Sequence, residues 1–461
     1  MKEEIIISLV NAQRAFFNSG TTRSLEWRRL QLKALKKMLQ ENEEQIVEAL
    51  HLDMGKPLFE AEFSEVQVLF HEVDTVLKNL YAWMQPEAAA TPSLHFPGSS
   101  MVVKEPFGIV LIMAPWNYPF QLLIAPLIGA LAAGNTAILK PSSVTVNTSG
   151  IIAQLIPKYF RPECVSVVEC SGDEANILLL QKYDYIFYTG SAYAGRIVME
   201  AAAKHLTPVT LELGGKSPCI VDKHTNIRQT ARKICWGKFF NAGQTCIAPD
   251  YILVHRDIKE ALLAEMKKVL IGFYGTEPSQ SKSYARICNE KHFDRLVTLL
   301  NEGDIIAGGQ HQRTEKYIAP TIIDSISWES AIMADEIFGP IMPVITYSDL
   351  DAVLQMINAR PKPLALYIFS RSGTFKNKII SGTSSGGVCI NDTLSHFTTN
   401  LLPFGGVGES GMGQYHGKYS FSAFSHSKPV LSKSFFFDIP LRYPPYRKIG
   451  GLMKKIIRSI S

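Results

Sequence analysis

The sequence predicts an α/β fold: a doubly wound parallel-sheet domain, a second α/β domain and a small β arm. Three observations lead there. At 461 residues the chain exceeds what one ordinary core fills, so two or three domains are expected. Beyond Pro106, apolar runs of strand length alternate with segments of helix length. Those runs are continuous in Val, Ile and Leu, as parallel strands buried on both faces require.

The elements follow in order. From Glu26 to about His51 apolar positions recur at helical spacing among many charges, and Gly55 and Pro57 stop the helix. A second helix is expected from about Glu60 to Met84, ended by Pro86. The Ala/Thr/Pro/Ser-rich stretch after it, 87–104, reads as an exposed hairpin or arm. Strands are expected at Ile109 to Met113, Thr136 to Leu139, Val165 to Glu169, Tyr185 to Tyr188 and Val209 to Glu212. Crossover helices are expected at Phe120 to Ala133 and Ala192 to Lys204, completing repeated β-α units. A second cycle between about Asp250 and Ile390 gives the other α/β domain.

Composition narrows the class. Hydrophobic content of 46% with 19% charged residues describes a buried globular enzyme rather than a disordered chain. The stretch from Pro106 to Leu139 carries no charge, but Pro115, Pro119 and Pro126 interrupt it. Its helical part is about 14 residues, short of the roughly 20 that cross a bilayer. Net charge is +5, yet Arg442, Arg447, Lys448, Lys454, Lys455 and Arg458 follow Asp438 with no acid among them. The body is therefore close to neutral, and nucleic-acid binding has no support from charge. Seven cysteines without a CxxC pair suggest neither a disulfide framework nor a metal site. The start MKEEIIISLV lacks the basic region and longer apolar run of a signal peptide, so a reducing cytoplasm is the expected compartment.

Two short segments carry the chemistry. LELGGKS (Leu211 to Ser217) offers Glu212 at a strand end before a Gly-Gly turn, and FFNAGQTC (Phe239 to Cys246) offers Cys246 after a turn through Gly243. A carboxylate and a thiol brought together can act as general base and nucleophile in acyl chemistry. Most free cysteines are inert core residues, and the other six read that way. Cys246 is preceded by a polar, tightly turned approach that a core cysteine does not need. A thiol attacks as its thiolate, so a local feature that stabilises the anion is expected. A lone glutamate is usually a solvated residue, but Glu212 closes a strand at the edge where α/β folds keep their sites. PWNYPF (Pro115 to Phe120) adds Asn117, which can cap a helix or donate to a developing oxyanion. YTGSAYAG (Tyr188 to Gly195) sets Gly190, Ser191 and Gly195 between a strand and a helix, where an anionic pyrophosphate would sit. A formal GxGxxG at Gly406, Gly408 and Gly411 follows no strand and opens no clear helix, so it is a decoy.

With EIFGP (Glu336 to Pro340), these segments match the signatures of the aldehyde dehydrogenase superfamily, which the chain resembles over almost its whole length. WGKFFNAGQTCIAPDYILV (Trp236 to Val254) and GQYHGKYSFSAFSH (Gly413 to His426) are similar to its class 3 branch. The resemblance implies NAD(P)-dependent oxidation of an aldehyde to the acid. Cys246 would form a thiohemiacetal and then a thioester, and Glu212 would activate the hydrolytic water. Asn117, with the Cys246 backbone N–H, would hold the oxyanion. Lys140 would contact the adenosine ribose, Glu336 would hold the nicotinamide ribose, and Phe338 would lie beside the ring.

The same resemblance divides the chain into 1–86 and 105–212 for the cofactor, and 213–402 for catalysis. It makes 87–104 and 403–435 an oligomerisation arm and substrate-entrance loop, and leaves 436–461 as a basic tail. A homodimer follows, with medium- or long-chain aliphatic, aromatic or isoprenoid-type aldehydes as substrates. One departure stands out: many members carry glutamate where this chain has Ser143, so NADP is expected to be accepted as well as NAD. In the tail, Leu452, Met453, Ile456, Ile457 and Ile460 share a helical face opposite Lys454, Lys455 and Arg458. That fits either docking on the protein's own surface or reversible contact with an anionic membrane. Two competing functions are a CoA-acylating dehydrogenase, which would not need Glu212, and a non-catalytic protein on the same fold.

Overall fold

The computed structural model describes residues 3–436, 438, 443–445 and 451, so the amphipathic face expected in the tail lies outside the described residues. Its first sheet orders the strands Gly411–Met412, Val209–Glu212, Tyr185–Thr189, Ile109–Met113, Thr136–Lys140 and Val165–Val167. All pairings are parallel except that of the short Gly411–Met412 edge, whose Gly411 sits opposite Glu212. The chain runs outward from Ile109–Met113 to Val165–Val167, then returns to its other side with Tyr185–Thr189. The reversal creates a topological switch point, where loops leave adjacent strand ends in opposite directions and open a crevice.

The second sheet runs Asp304–Ala307, Thr321–Asp324, Ile341–Tyr347, Tyr251–His255, Pro218–Val221, Ala365–Phe369 and Gly387–Ile390. Only its first pairing is antiparallel. A third, antiparallel sheet joins Glu87–Ala89, Gly98–Pro106 and Ser425–Lys433.

Local chemistry explains the helices that hold these sheets. Ser24 caps the helix Leu25–Met54 by accepting from the Trp27 N–H, and Gly55 ends it at φ 57°. The charge-free stretch forms the strand Ile109–Met113 and the helix Gln121–Ala133, every residue of which is buried. That helix stops at Gly134, φ 92°, where a Cβ would lie 2.8 Å from the guanidinium of Arg28. Arg28 is itself buried and donates to the Ala132 carbonyl at 3.1 Å. Among the described residues no helix is long and apolar enough to cross a membrane.

Three differences from expectation have physical causes. The helix Glu3–Asn18 was hidden in the signal-peptide question; it buries Ile6, Val10 and Gln13, and Gln13 donates to the Ala137 carbonyl at 2.9 Å. The helix expected from Glu60 to Met84 is broken into Leu58–Ala61, a π turn at Glu62–Gln67 and Val68–Met84. The strand expected to reach Glu169 ends at Val167, paired with Leu139 one residue before its partner strand ends at Lys140.

Candidate active site

The crevice at the switch point is a cavity of about 230 Å³. One wall is the loop after Ile109–Met113, bearing Trp116 and Asn117, and the other is the loop after Tyr185–Thr189, bearing Gly190 and Ser191. Glu212 enters from the end of the neighbouring strand, while Cys246, Glu336 and Phe338 come from the second α/β unit. The fold thus gathers Asn117, Gly190, Ser191, Glu212, Cys246, Glu336 and Phe338 around one space.

Lys140, Ser143 and Gly195 do not line it. Ser143 is exposed and lines a separate groove of about 250 Å³ with Pro141, Ser142, Cys170 and Glu174. Lys140 stands at the adjacent strand end with its Nζ donating to the Pro141 carbonyl at 3.2 Å, and burial lowers its pKa. Gly195 is buried in the helix Ala192–Ala203, where a Cβ would come within 2.9 Å of Leu213. Its missing side chain lets helix and strand pack closely. The Gly405-to-Gly413 loop wraps the Glu212 strand rather than cradling a phosphate, and a Cβ on Gly405 would lie 3.2 Å from Glu212 Oε1.

Cys246 also lines a second cavity, of about 70 Å³ and almost wholly apolar, between Phe63, Tyr118, Trp236, Phe240, Phe397 and Phe404. The thiol therefore stands where this aromatic-walled space meets the less apolar cavity at the switch point. Tyr118 is fixed there by a 2.6 Å hydroxyl contact with Thr245, next to the cysteine. The Asn117 side-chain N–H donates at 3.1 Å to the Gln244 carbonyl, which leaves its second N–H uncommitted by that bond.

Burial dominates the electrostatics. Glu212 is 2% exposed, neither carboxyl oxygen has a hydrogen-bond partner, and burial holds its pKa well above the usual carboxylate range. Glu336 is raised to about 8, first by burial and then by Asp250, against the opposing pull of the Gly215 backbone, Lys216 and Lys238. A Cβ on Gly214 would collide with the Glu336 carboxylate, so the Gly-Gly turn is what admits that side chain. The local stabilisation expected for a Cys246 thiolate does not prevail. Burial, then Glu336 and Glu212, push the thiol up, and the Cys246 and Ile247 backbone N–H groups only partly oppose them.

The loop carrying Glu336 and Phe338 is gripped by side chains that the motifs did not single out. Lys216 Nζ donates to the Asp335 carbonyl at 2.9 Å and pairs with Asp250 at 2.6 Å. Arg295 donates to the Glu336 and Ile337 carbonyls, His292 Nε2 lies 2.7 Å from the Phe338 carbonyl, and Asp250 accepts from the Ile337 N–H at 3.0 Å. His292 has its pKa lowered to about 4 by burial, so it meets that carbonyl as a neutral donor. Phe338 is thereby held at φ 53°, a region costly for a non-glycine residue, with Trp116 edge-on at 5.2 Å. Of these, only Lys216, inside LELGGKS, and Asp250, inside the Trp236-to-Val254 segment, fall within the sequence motifs.

The switch-point cavity fits a dinucleotide on two counts. Gly214 leaves room for the Glu336 carboxylate at its wall, and the N-terminus of the helix Ala192–Ala203, capped by Ser191, would face an anion placed there. Among the described residues no cluster of groups suited to a metal ion occurs.

Comparison with known proteins agrees with this geometry. The sequence profile described as "Aldehyde dehydrogenase family" matches residues 1–430. The chain is 47% identical over 439 residues to aldehyde dehydrogenase family 3 member B2 of Mus musculus, covering 95% of this chain and 92% of that one. It is also 47% identical over 436 residues to 4,4'-diaponeurosporen-aldehyde dehydrogenase of Staphylococcus aureus, covering 94% and 95%. The structure superimposes on the substrate-bound state of Staphylococcus aureus AldH with a TM-score of 0.95, at 46% identity and 99% coverage of both chains.

Proposed function

The chain belongs to the aldehyde dehydrogenase family and catalyses NAD(P)-dependent oxidation of aldehydes; from that premise we propose how its residues divide the work. The observation that carries the reading is the position of Cys246 at the meeting point of the two cavities. An aldehyde would enter through the aromatic-walled side, and the cofactor would lie on the switch-point side. NAD and NADP are both bound within this family.

When bound, the oxidised nicotinamide supplies a hydride acceptor and a positive charge. Glu336 would anchor the nicotinamide ribose and Phe338 would support the ring from the clamped loop. Gly190 and Ser191 would face the pyrophosphate, while Lys140 and Ser143 would meet the adenosine end. Cys246 loses its proton to the ionised form of a neighbouring carboxylate, which releases it to solvent before the hydrolytic step, and the sulfur adds to the carbonyl carbon. Asn117 and the Cys246 N–H donate to the oxygen that becomes an anion. As that oxygen re-forms its double bond, hydride leaves the thiohemiacetal carbon and a thioester remains. Glu212 then takes a proton from water, the hydroxide adds to the thioester, and the acid departs as the thiol is restored. Burial suits Glu212 to this role because a carboxylate that resists ionisation is a stronger base once ionised.

The aromatic and aliphatic lining favours medium- or long-chain aliphatic, aromatic or isoprenoid-type aldehydes, and one relative is named for a diaponeurosporen aldehyde. We read the protein as a cytoplasmic homodimer. Two features support this: its seven cysteines are free, and the strand Ser425–Lys433 is an edge of its sheet, open to pairing. The basic tail would add reversible contact with an anionic membrane, which deletion of residues 449–461 should abolish in vesicle sedimentation. Purified protein with NAD or NADP and aldehydes of graded chain length should yield the free acid at a rate independent of CoA. A requirement for CoA would favour the acylating reading, and no reduction of either cofactor across the panel would overturn both.

A further inference from the structure

Three consecutive residues before the nucleophile are left-handed: Asn241 at φ 52°, Ala242 at φ 50° and Gly243 at φ 73°. Glycine adopts this region freely, whereas asparagine and alanine do so at a cost. The turn is also sterically fixed, because a Cβ on Gly243 would collide with the Gly339 carbonyl. Such strain persists only where the surroundings over-determine it.

The surroundings are one short run, Lys56 to Glu65. Glu60 Oε2 accepts the Asn241 N–H at 3.0 Å. Lys56 Nζ donates at 3.0 Å to the Asn117 carbonyl, which also accepts from Asn241 Nδ2 at 3.0 Å. Glu65 pairs with Lys56 and accepts the Phe120 and Gln121 N–H groups at 3.0 and 3.2 Å, fixing the start of the buried helix. Lys56 and Glu65 are both fully buried. At ordinary helical pitch, residues five apart would point about 140° away from each other. The π turn at Glu62–Gln67 falls between them and departs from that pitch, and Glu60 reaches the Asn241 N–H while Glu65 reaches those of Phe120 and Gln121.

We infer that Lys56, Glu60 and Glu65 are positioning residues that set the Asn117 amide and the Cys246 thiol at their reacting separation. Two segments distant in sequence, 115–121 and 241–246, are tied to this one run from opposite sides. Glu60 is the member that acts on the nucleophile's turn, since removing its oxygen frees the strained Asn241 N–H. The inference rests on the reading of Cys246 and Asn117 as nucleophile and oxyanion donor.

The test uses the full-length enzyme with saturating cofactor and measures the pre-steady-state burst of reduced nicotinamide. Glu60→Ala should slow the burst about tenfold or more. Cofactor affinity, read by fluorescence titration, and hydrolysis of the preformed thioester should change less than twofold. Glu60→Gln, which keeps an acceptor oxygen for the Asn241 N–H, should recover most of the burst rate. If the alanine variant does not fold, Asn241→Gly serves instead. Glycine keeps the turn at φ 52° but loses the tie to the Asn117 carbonyl, and the burst should slow at least about fivefold. An unchanged burst in the folded variant overturns the inference, as does a proportional loss of burst, cofactor affinity and thioester hydrolysis. A normal burst in Cys246→Ala would instead overturn the nucleophile assignment and leave the bracket's geometry unused.

Discussion

Replacing Glu72 by glutamine should stabilise the protein in alkaline solution and leave it nearly unchanged in acid. Glu72 projects from the helix Val68–Met84, is 5% exposed, and accepts the Gly417 N–H at 2.8 Å. Burial raises its pKa from 4.5 to about 7, with the Gly417 hydrogen bond pulling the other way. The folded state therefore holds the proton more tightly than the unfolded state. The resulting stability is full below about pH 4.5 and is lost as pH rises through about 7. The whole effect amounts to about 3 kcal/mol. Glutamine keeps an acceptor for the Gly417 N–H but never ionises, so it escapes the loss. The expected advantage of Glu72→Gln is under about 1 kcal/mol at pH 5 and about 3 kcal/mol at pH 8.5. With about 2.1 cal/mol/K of unfolding entropy per residue over 461 residues, the larger figure is roughly 3 °C in Tm. Paired melting curves of wild type and variant at both pH values measure it. An advantage of equal size at both, or a variant less stable at pH 8.5, would refute the argument.

Four further outcomes follow from the site. Cys246→Ala should abolish oxidation, whereas Glu212→Gln should give one burst of reduced cofactor and then stall; full steady-state turnover in the glutamine variant would reject the general-base role. Because burial keeps Cys246, Glu212 and Glu336 protonated, the last up to about 8, kcat should climb between pH 6 and 9. A rate maximum below pH 7 is incompatible with that picture. Gly214→Ala should displace the Glu336 carboxylate and raise the KM for cofactor about tenfold; an unchanged KM would detach Glu336 from cofactor binding. Ser143→Glu should shift preference toward NAD about fivefold, since two unit charges about 4 Å apart repel by roughly 1 kcal/mol in water. An unchanged NADP/NAD ratio of kcat/KM would mean that Ser143 lies outside the ribose contact.

The sequence made the parallel strands legible because burial on both faces leaves an unbroken apolar run, as in Ile109–Met113, where every residue is buried. It singled out Cys246 and Glu212 because each adjoins a glycine turn that a core residue does not require, and Asn117 because a lone amide stands among Trp116, Tyr118 and Phe120. The π turn at Glu62–Gln67 was invisible, since its apolar residues fit an ordinary helical stripe and only the hydrogen-bond pattern differs. Lys56, Glu60 and Glu65 were invisible for a related reason. In a charged amphipathic stretch they read as solvent-facing, and only the packing of the 115–121 loop and the 241–246 turn upon them takes them out of water. His292 and Arg295 likewise gain meaning from the Phe338 loop, which is distant in sequence. The thiolate stabilisation expected at Cys246 failed for want of the same information: the turned approach disclosed neither the burial nor the two acids that oppose its ionisation.

The distribution of hydrogen bonds distinguishes what holds this site from what reacts in it. Around the rim, the side-chain nitrogens of Asn117, Asn241 and Gln244 all donate to backbone carbonyls at 2.9 to 3.1 Å, although Asn241 Oδ1 is buried without a partner, and the carbonyls of residues 335 to 338 all accept from Lys216, Arg295 or His292. At the centre the pattern reverses. Both Glu212 oxygens and the Thr189 hydroxyl are buried without partners. A bare buried carboxyl costs free energy, which the proton it retains only reduces. The surrounding frame must therefore be rigid enough to prevent collapse around it, and the close packing of Gly405 and Gly411 on the Glu212 strand supplies that rigidity. Changes in the frame should then act on rate through distance and leave the order of steps intact. Changes at the unpaired centre should instead remove a step, which is why Glu60 and Glu212 variants are expected to fail at different points of one turnover.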